Sequence, residues 1–389
     1  MKICHVCSAH SVDDGRVFHR ACVTLAEAGY EVHLIATGEG DTPYTEKGVH
    51  IHPLPRPTSR RQRLARRSTV AKMAIGLDPD LLHVHEPELL GPVIAHAGRR
   101  PVIWDVHESY LDVLAHRSWI PRWLRPLMRL AWDLRERRLV RRCAGVIVVT
   151  EPIAQRYRRL HDNTYVIANY PELPTASESA TSSRLAAHED DSAEKSCVFA
   201  GSLASNRGLS QTLVALSVLD KRGLAVPLVL AGRQGRADYI DSLLQEAETL
   251  GIRHLVTYHG VLSKAETLVL MGQSYMGLVP HLPYGNNLTA WPVKMFEFMS
   301  LGLPMVFSDF PVHQQITGES GAGIAIDPHN PEEFANAIEY LIRHPDEARQ
   351  MGEAGKRAVS ERFNWNTEKT KLLDLYQEIL AATASHYPR

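Results

Sequence analysis

The sequence predicts an α/β protein made of two doubly wound parallel sheets, and three observations carry that expectation. Short apolar runs alternate with helix-patterned segments from end to end. A chain of 389 residues is too long for one ordinary core. Residues 172–195, rich in Ser, Ala, Thr and acids and without apolar periodicity, split the pattern into two halves.

In the first half the strand candidates are Lys2–Cys7, Glu31–Ala36, Leu81–Val84, Val102–Val106, Gly145–Val149 and Tyr165–Ala168. A helix from Arg16 to Ala28, ended by Gly29, is expected after the first strand. In the second half the candidates are Ser196–Ala200, Leu228–Ala231, Val256–His259, Met276–Val279, Met305–Ser308 and Ala322–Ile326. A last helix covers about Asn366–Thr383. The expected domains are therefore 1–171 and 196–361, joined by the linker 172–195. Residues 362–389 form a terminal helix with the option of returning to the first domain. No internal repeat of fixed period is visible.

Bulk composition narrows the class. Hydrophobic content of 44% and charged content of 22% suit a soluble globular enzyme. A formal net charge of −1 argues against a dedicated nucleic-acid binder. Residues Met1–Ala9 lack the basic and cleavage features of a secretory leader, and no apolar run approaches the roughly 20 residues of a membrane span. Five irregularly spaced cysteines fit a reducing compartment, so a cytoplasmic protein is expected. Cys4-His5-Val6-Cys7 imitates a metal or redox motif, but cysteines three apart in a strand point to opposite faces.

The stretch Gly277–Asp309 is the most informative. It reads as a strand, a loop at Pro283–Asn287, a helix closed by Gly302 and Pro304, and another strand. Thr289 is the expected helix cap, with Pro292 early in the first turn. Helix-start amides near Leu288, Thr289 and Ala290 would suit a phosphate. Lys294 and Glu297, three apart, share a helix face. A cation for a diphosphate beside a carboxylate for ribose hydroxyls implies a nucleotide ligand; the plainer reading is an exposed ion pair.

In their order and spacing, the residues resemble the family-4 retaining glycosyltransferases of the GT-B fold. The markers are AGYEVHLIA (28–36), DLLHVHEPELL (80–90), WDVHE (104–108), GVIVVTEPI (145–153), IANYP (167–171), VFAGSLASNRGL (198–209), LVLAG (228–232) and PVKMFEFMSLGLPMV (292–306). The resemblance implies two Rossmann-like domains facing across a cleft, the first for the acceptor and the second for a nucleotide-diphosphate sugar. It places Glu297 at the ribose, Arg207 at the diphosphate with Gly201 allowing close backbone approach, and His107 near the donor sugar. Two positions depart from the pattern. The partner of Glu297 in the family's glutamate pair is Thr289, and the arginine after the phosphate-loop glycine is Ser202.

The expected chemistry is transfer to a hydroxyl through an oxocarbenium-like state, with charge growing on the leaving diphosphate. Arg207, Lys294 and His107 are the catalytic candidates, and Asn287 joins the donor-side group. No residue is an obvious covalent nucleophile, so the resemblance implies front-face transfer. Asp13, Asp14, Gly15 and Arg16, in the turn after the first strand, are acceptor-side candidates with His85 and Glu86. For the two aspartates, helix capping is an equal reading. Neither a metal nor an organic cofactor is expected, because cations and amides balance the diphosphate. Polysaccharide or glycolipid assembly is the expected setting, with a small secondary metabolite as the alternative acceptor.

Two other classes compete. A GT-B epimerase would bind the nucleotide sugar without an acceptor. A metal-dependent hydrolase would use His83, His85 and His107, since histidines two apart in a strand point the same way. Finally, segment 117–142 carries nine arginines, at 117, 122, 125, 129, 135, 137, 138, 141 and 142, against Asp133 and Glu136. Trp119, Trp123, Leu127 and Leu130 or Ala131 recur at helical spacing. Such a segment either docks on an anionic membrane or packs its apolar stripe on a sheet. A second basic stretch, Arg56–Lys72, lies in the same half.

Overall fold

The computed structural model describes residues 1–116, 120–173 and 195–386. Most of the expected linker 172–195, together with Arg117 and Trp119, lies outside the described residues. The chain forms two compact units, Met1–Asn169 with Trp365–Arg389, and Tyr170–Asn364.

The first unit holds Lys2–Ser11 (β1), Glu31–Thr37 (β2), Tyr44–Glu46 (β3), Val49–Leu54 (β4), Leu81–Val84 (β5), Val102–Val106 (β6), Gly145–Val148 (β7) and Thr164–Val166 (β8). They form one sheet in the order β3-β4-β2-β1-β5-β6-β7-β8. All pairings are parallel except β3 with β4. Strands β5, β6 and β7 are buried along their whole length, which is why they read as unbroken apolar runs. The hairpin β3–β4 was not expected. Lys47 and Gly48, at φ 48° and 78°, supply its two-residue turn. In β4 only Val49, Ile51 and Pro53 face inward, and the histidines between them dilute the apolar signal.

The helix after β1 begins at Gly15 rather than Arg16 and has a wide first part. Both Phe18 and His19 donate to the Asp14 carbonyl, at 3.0 and 3.2 Å, and the α-helix Val23–Glu27 continues it. The terminal helix Trp365–His386 closes the same core. Tyr376 is fully buried, Trp365 Nε1 donates to Thr24 Oγ1 at 2.9 Å, and the Ala168 amide donates to Glu368 at 2.7 Å.

The second unit holds Cys197–Ala200 (β9), Leu228–Ala231 (β10), Val256–Tyr258 (β11), Met276–Val279 (β12), Met305–Ser308 (β13) and Gly323–Ile326 (β14). Its sheet runs β11-β10-β9-β12-β13-β14, all parallel. The order reverses beside β9, where ligands of open parallel sheets bind. There the Gly201 amide donates to the Ala231 carbonyl at 2.9 Å, and the chain crosses Gly232 at φ 131°. A Cβ on Gly232 would lie 1.8 Å from the Gly201 carbonyl oxygen, so only glycine fits.

Among the described residues no helix is long and apolar enough to cross a membrane. The basic helix Arg125–Val140 corrects the packing reading of its stripe. Its inner face is Trp132, Glu136 and Leu139, whereas Trp123, Leu127 and Leu130 are exposed.

Gly232→Ala combines a steric overlap with a disfavoured backbone angle. It should destabilise the second unit by about 2 kcal/mol or more, seen as a lower urea midpoint.

Candidate functional site

In the second unit, a cavity of about 380 Å³ opens at the end of β9. Gly201, Ser202, Arg207, Asn287, Ala290, Lys294 and Glu297 all line it, as expected. The helix that follows begins at Val293, not near Leu288. Pro292, not Thr289, stands at its cap position, in an extended conformation. The reason lies in the loop. Gly285–Leu288 forms its own short turn, and Asn287 Nδ2 donates to the carbonyls of Asn206 and Leu282 at 3.0 and 2.9 Å. The chain enters the helix only after this knot. The amides available to an anion are therefore those of the Val293 turn. Leu288 does not line the cavity.

Arg207 closes the short turn Ser205–Arg207. Its guanidinium donates to Asn287 Oδ1 at 3.0 Å, while its buried Nε has no partner among the described residues. Burial lowers its pKa. Lys294 places its ammonium 3.7 Å from the centre of the Phe199 ring. A Cβ on Gly201 would approach that ammonium to 3.0 Å, so this glycine makes room for the cation. Burial, with the charge of Arg207 adding, pushes Lys294 down to about 7, and Glu297 opposes the shift. His281 lines the same cavity and was missed from sequence. Burial, then the charges of Lys294 and Arg207, keep it well below the ordinary imidazole value, hence neutral. Two crowded basic groups and a neutral imidazole around the cavity have the chemistry to take an anion.

In the first unit, the expected residues converge at the ends of β1, β5 and β6. Asp105 is buried, and Arg16 donates to both its oxygens, Nε at 3.1 Å and Nη2 at 2.9 Å. Arg16 Nη1 donates to the Ile167 carbonyl at 3.0 Å. This buried role corrects the acceptor expectation for Arg16. Burial works against ionisation of Asp105, yet Arg16 first and His107 next hold it well below the usual carboxylate range. His5 Nδ1 lies 3.0 Å from His85 Nε2, and His85 Nδ1 lies 3.2 Å from His107 Nε2. His83 Nδ1 reaches the Tyr376 hydroxyl at 2.5 Å.

His85 is fully buried, so it supports His107 and does not meet an acceptor. Glu86 is corrected in the same way. One of its oxygens accepts from the amides of Ala9 and His10 at 2.8 and 2.9 Å, and the other accepts from Ser8 at 3.0 Å. Asp14 caps the helix, accepting from the amides of Arg16 and Val17 at 2.9 Å. Asp13 is exposed and pairs with His19 at 2.5 Å. A Cβ on Gly15 would meet nothing within 4 Å, which leaves that surface open. His10 emerged only from the structure. Its ring lies 4.7 Å from that of His107. Burial lowers its pKa, but the Glu86 hydrogen bond and charge outweigh that and raise it. No period or motif in the sequence points to His10.

The metal-hydrolase reading needed His83, His85 and His107 to face one point. All three turn a ring nitrogen toward Asp105 Oδ2, His83 Nε2 at 3.7 Å, His85 Nδ1 at 3.6 Å and His107 Nε2 at 3.5 Å. The other nitrogen of His83 meets Tyr376, and His5, His83 and His85 form a second buried group. Arg16, bound to both Asp105 oxygens, already supplies the cation that this carboxylate needs.

Two expectations follow. Asp105→Asn leaves the Arg16 guanidinium buried without its counter-charge and should cost about 3–5 kcal/mol in chemical unfolding. For Lys294, the unfolded chain binds the extra proton between about 7, where the folded group titrates, and its ordinary value of 10.5. This group should therefore make stability rise with pH across that window. Lys294→Met should flatten the slope measured by urea midpoints at the two ends.

Comparison with known proteins bears on the family and the fold. The model of Glycosyltransferase Family 4 matches residues 15–170, and that of Glycosyl transferases group 1 matches residues 184–358. GDP-mannose:cellobiosyl-diphosphopolyprenol alpha-mannosyltransferase of Xanthomonas oryzae is 26% identical over 188 residues, 48% of this chain. The match spans only 47% of that relative's length. Sucrose-phosphate synthase from Thermosynechococcus elongatus superposes with a TM-score of 0.77 at 18% identity, over 98% of this chain and 100% of that one. Anabaena HepE in complex with UDP does so with 0.73 at 16%, over 97% and 100%. With both halves matched in order and the same α/β architecture throughout, the chain belongs to the family-4 glycosyltransferases of the GT-B fold.

Proposed function

We propose that the protein transfers a hexose-type sugar from a nucleotide-diphosphate sugar to a hydroxyl acceptor, with retention at the anomeric carbon. The observation that carries this reading is the pair Arg207 and Lys294 at the anion cavity of the second unit. A diphosphate supplies the charge that these two groups lack, and binding it returns Lys294 to its charged form. Glu297, on the rim, is assigned to the ribose hydroxyls. As the sugar leaves, charge grows on the diphosphate, and each well-oriented donor contributes roughly 3–4 kcal/mol to that state. The cations are part of the chain, so transfer is proposed to need neither a metal nor an organic cofactor.

His107 is assigned to the transfer step, with His85 and Asp105 as its positioning residues. Front-face attack assisted by the leaving phosphate accounts for retention. The open surface over Gly15 and the exposed Asp13 remain the acceptor-side candidates. The Xanthomonas relative is named for GDP-mannose and a diphosphopolyprenol acceptor, and HepE for UDP. Those names support a nucleotide donor and a glycan or lipid-linked acceptor, in polysaccharide or glycolipid assembly. Five free, buried cysteines suit a cytoplasmic site of action.

The test is a thermal-shift screen with UDP, GDP and their sugars, with and without a chelator. A nucleotide at about 100 times its Kd should stabilise by about 2.7 kcal/mol. The chelator should leave that shift unchanged. Glu297→Ala should weaken it, whereas His107→Ala should keep it and lose turnover. A shift that survives Glu297→Ala undiminished, or that vanishes with chelator, would overturn the assignment.

A further inference from the structure

The arginine-rich helix Arg125–Val140 is two-faced in an unusual sense. Its inner side is polar as well as apolar. Glu136 is buried, accepting from Trp132 Nε1 at 3.1 Å and from the Tyr157 hydroxyl at 2.8 Å, and it also pairs with Arg156. The opposite side carries Leu127, Leu130 and Leu134, exposed by 61%, 56% and 60%, with Trp123 of the preceding turn at 79%. Spacings of four, three and four residues align these side chains in one stripe. Large apolar side chains in a continuous exposed line are not the scattered singles of an ordinary surface.

Charge surrounds the stripe with one sign. Arg122, Arg129, Arg138, Arg141 and Arg142 are exposed around it. The two acids of the segment are engaged elsewhere: Glu136 is buried, and Asp133 is held by Arg137 and Arg156, both at 2.7 Å. The second basic stretch lies alongside. The pKa of Arg135 is lowered first by burial and next by the charge of Arg67. At the C-terminal end of the helix there is a separate polar cavity of about 310 Å³, lined by Arg141, Arg158, Arg159, His161 and Asp162. Arg158 is paired with Glu151.

We infer that this face docks on an anionic lipid bilayer, with Trp123 and the three leucines entering the headgroup boundary and the Arg141–Arg159 cavity taking a lipid phosphate. A bilayer fits better than a protein partner because the stripe is a convex helix surface that a fluid medium covers without matching shape. Leucine and tryptophan supply the insertion, and arginine supplies the attraction to negative headgroups. The surface stands on the first unit alone; that it brings the enzyme to a lipid-borne acceptor rests on the transferase reading.

The experiment is co-sedimentation of the full chain with phosphatidylcholine vesicles, with and without about 30% phosphatidylglycerol. The chain should pellet with the anionic vesicles and not with the neutral ones, and less as salt rises. Leu130→Ser/Leu134→Ser should weaken that partitioning by about tenfold or more. Arg141→Ala/Arg159→Ala should remove the preference for anionic lipid. No pelleting, equal pelleting with both vesicles, or full retention in the leucine variant would overturn the inference. So would a dimer in sedimentation velocity that the leucine variant dissociates, because a second copy would then cover the stripe. Nucleotide thermal shifts on the same variants should match the parent, which tests the donor site separately from the lipid surface.

Discussion

A single buried carboxylate organises the first unit. Asp105 sits at the end of β6 with Arg16 on both its oxygens, and His83, His85 and His107 stand within 3.5 to 3.7 Å of it. An ion pair this deep costs desolvation energy on both sides, and it persists only because further hydrogen bonds meet the remaining lone pairs and protons. That requirement holds Arg16 and Asp105 together across 89 residues of sequence, beneath the surrounding histidines. Burial keeps His5 and His85 well below the ordinary imidazole range and pushes His83 down to about 4, so these three rings are neutral.

The second unit meets the opposite requirement. Its cavity gathers positive charge without enough negative charge to balance it. Gly201 and Gly232 bring two loops to van der Waals contact, which leaves space for Lys294 and none for any larger residue. Such crowding is unfavourable by itself, and the proposed diphosphate would relieve it.

What the sequence revealed, and what it hid, follows from the range of the forces involved. Strands buried on both faces, such as Leu81–Val84 and Met276–Val279, were legible residue for residue because burial alone dictates their composition. The β3–β4 hairpin was not: β3 is exposed throughout, and β4 has histidines where an apolar period would show. The roles of Lys294, Glu297 and Arg207 as cavity residues were legible through local spacing and family pattern. Thr289 was misread as a cap because the Asn287 knot, closed by carbonyls up to 81 residues away, sets the helix start. Arg16 and Glu86 were misread for a similar reason. Their partners lie 89 and about 77 residues distant, and no local pattern records such pairing. His10 carried no signal at all, since only the end of β1 and the Glu86 carboxylate bring it to His107.

The helix Trp365–His386 belongs to the core of the first unit although the whole second unit separates them along the chain. On the ribosome, β1 to β8 are made long before the residues that seal them. Until Trp365, Tyr376 and Ile379 emerge, the sheet must wait with an uncovered apolar face and with the His83 ring short of its Tyr376 partner. The second unit, contiguous from Tyr170 to Asn364, has no such delay. The order of synthesis is therefore the reverse of the order of completion, and the Tyr376 contacts to His83 and His5 are made last.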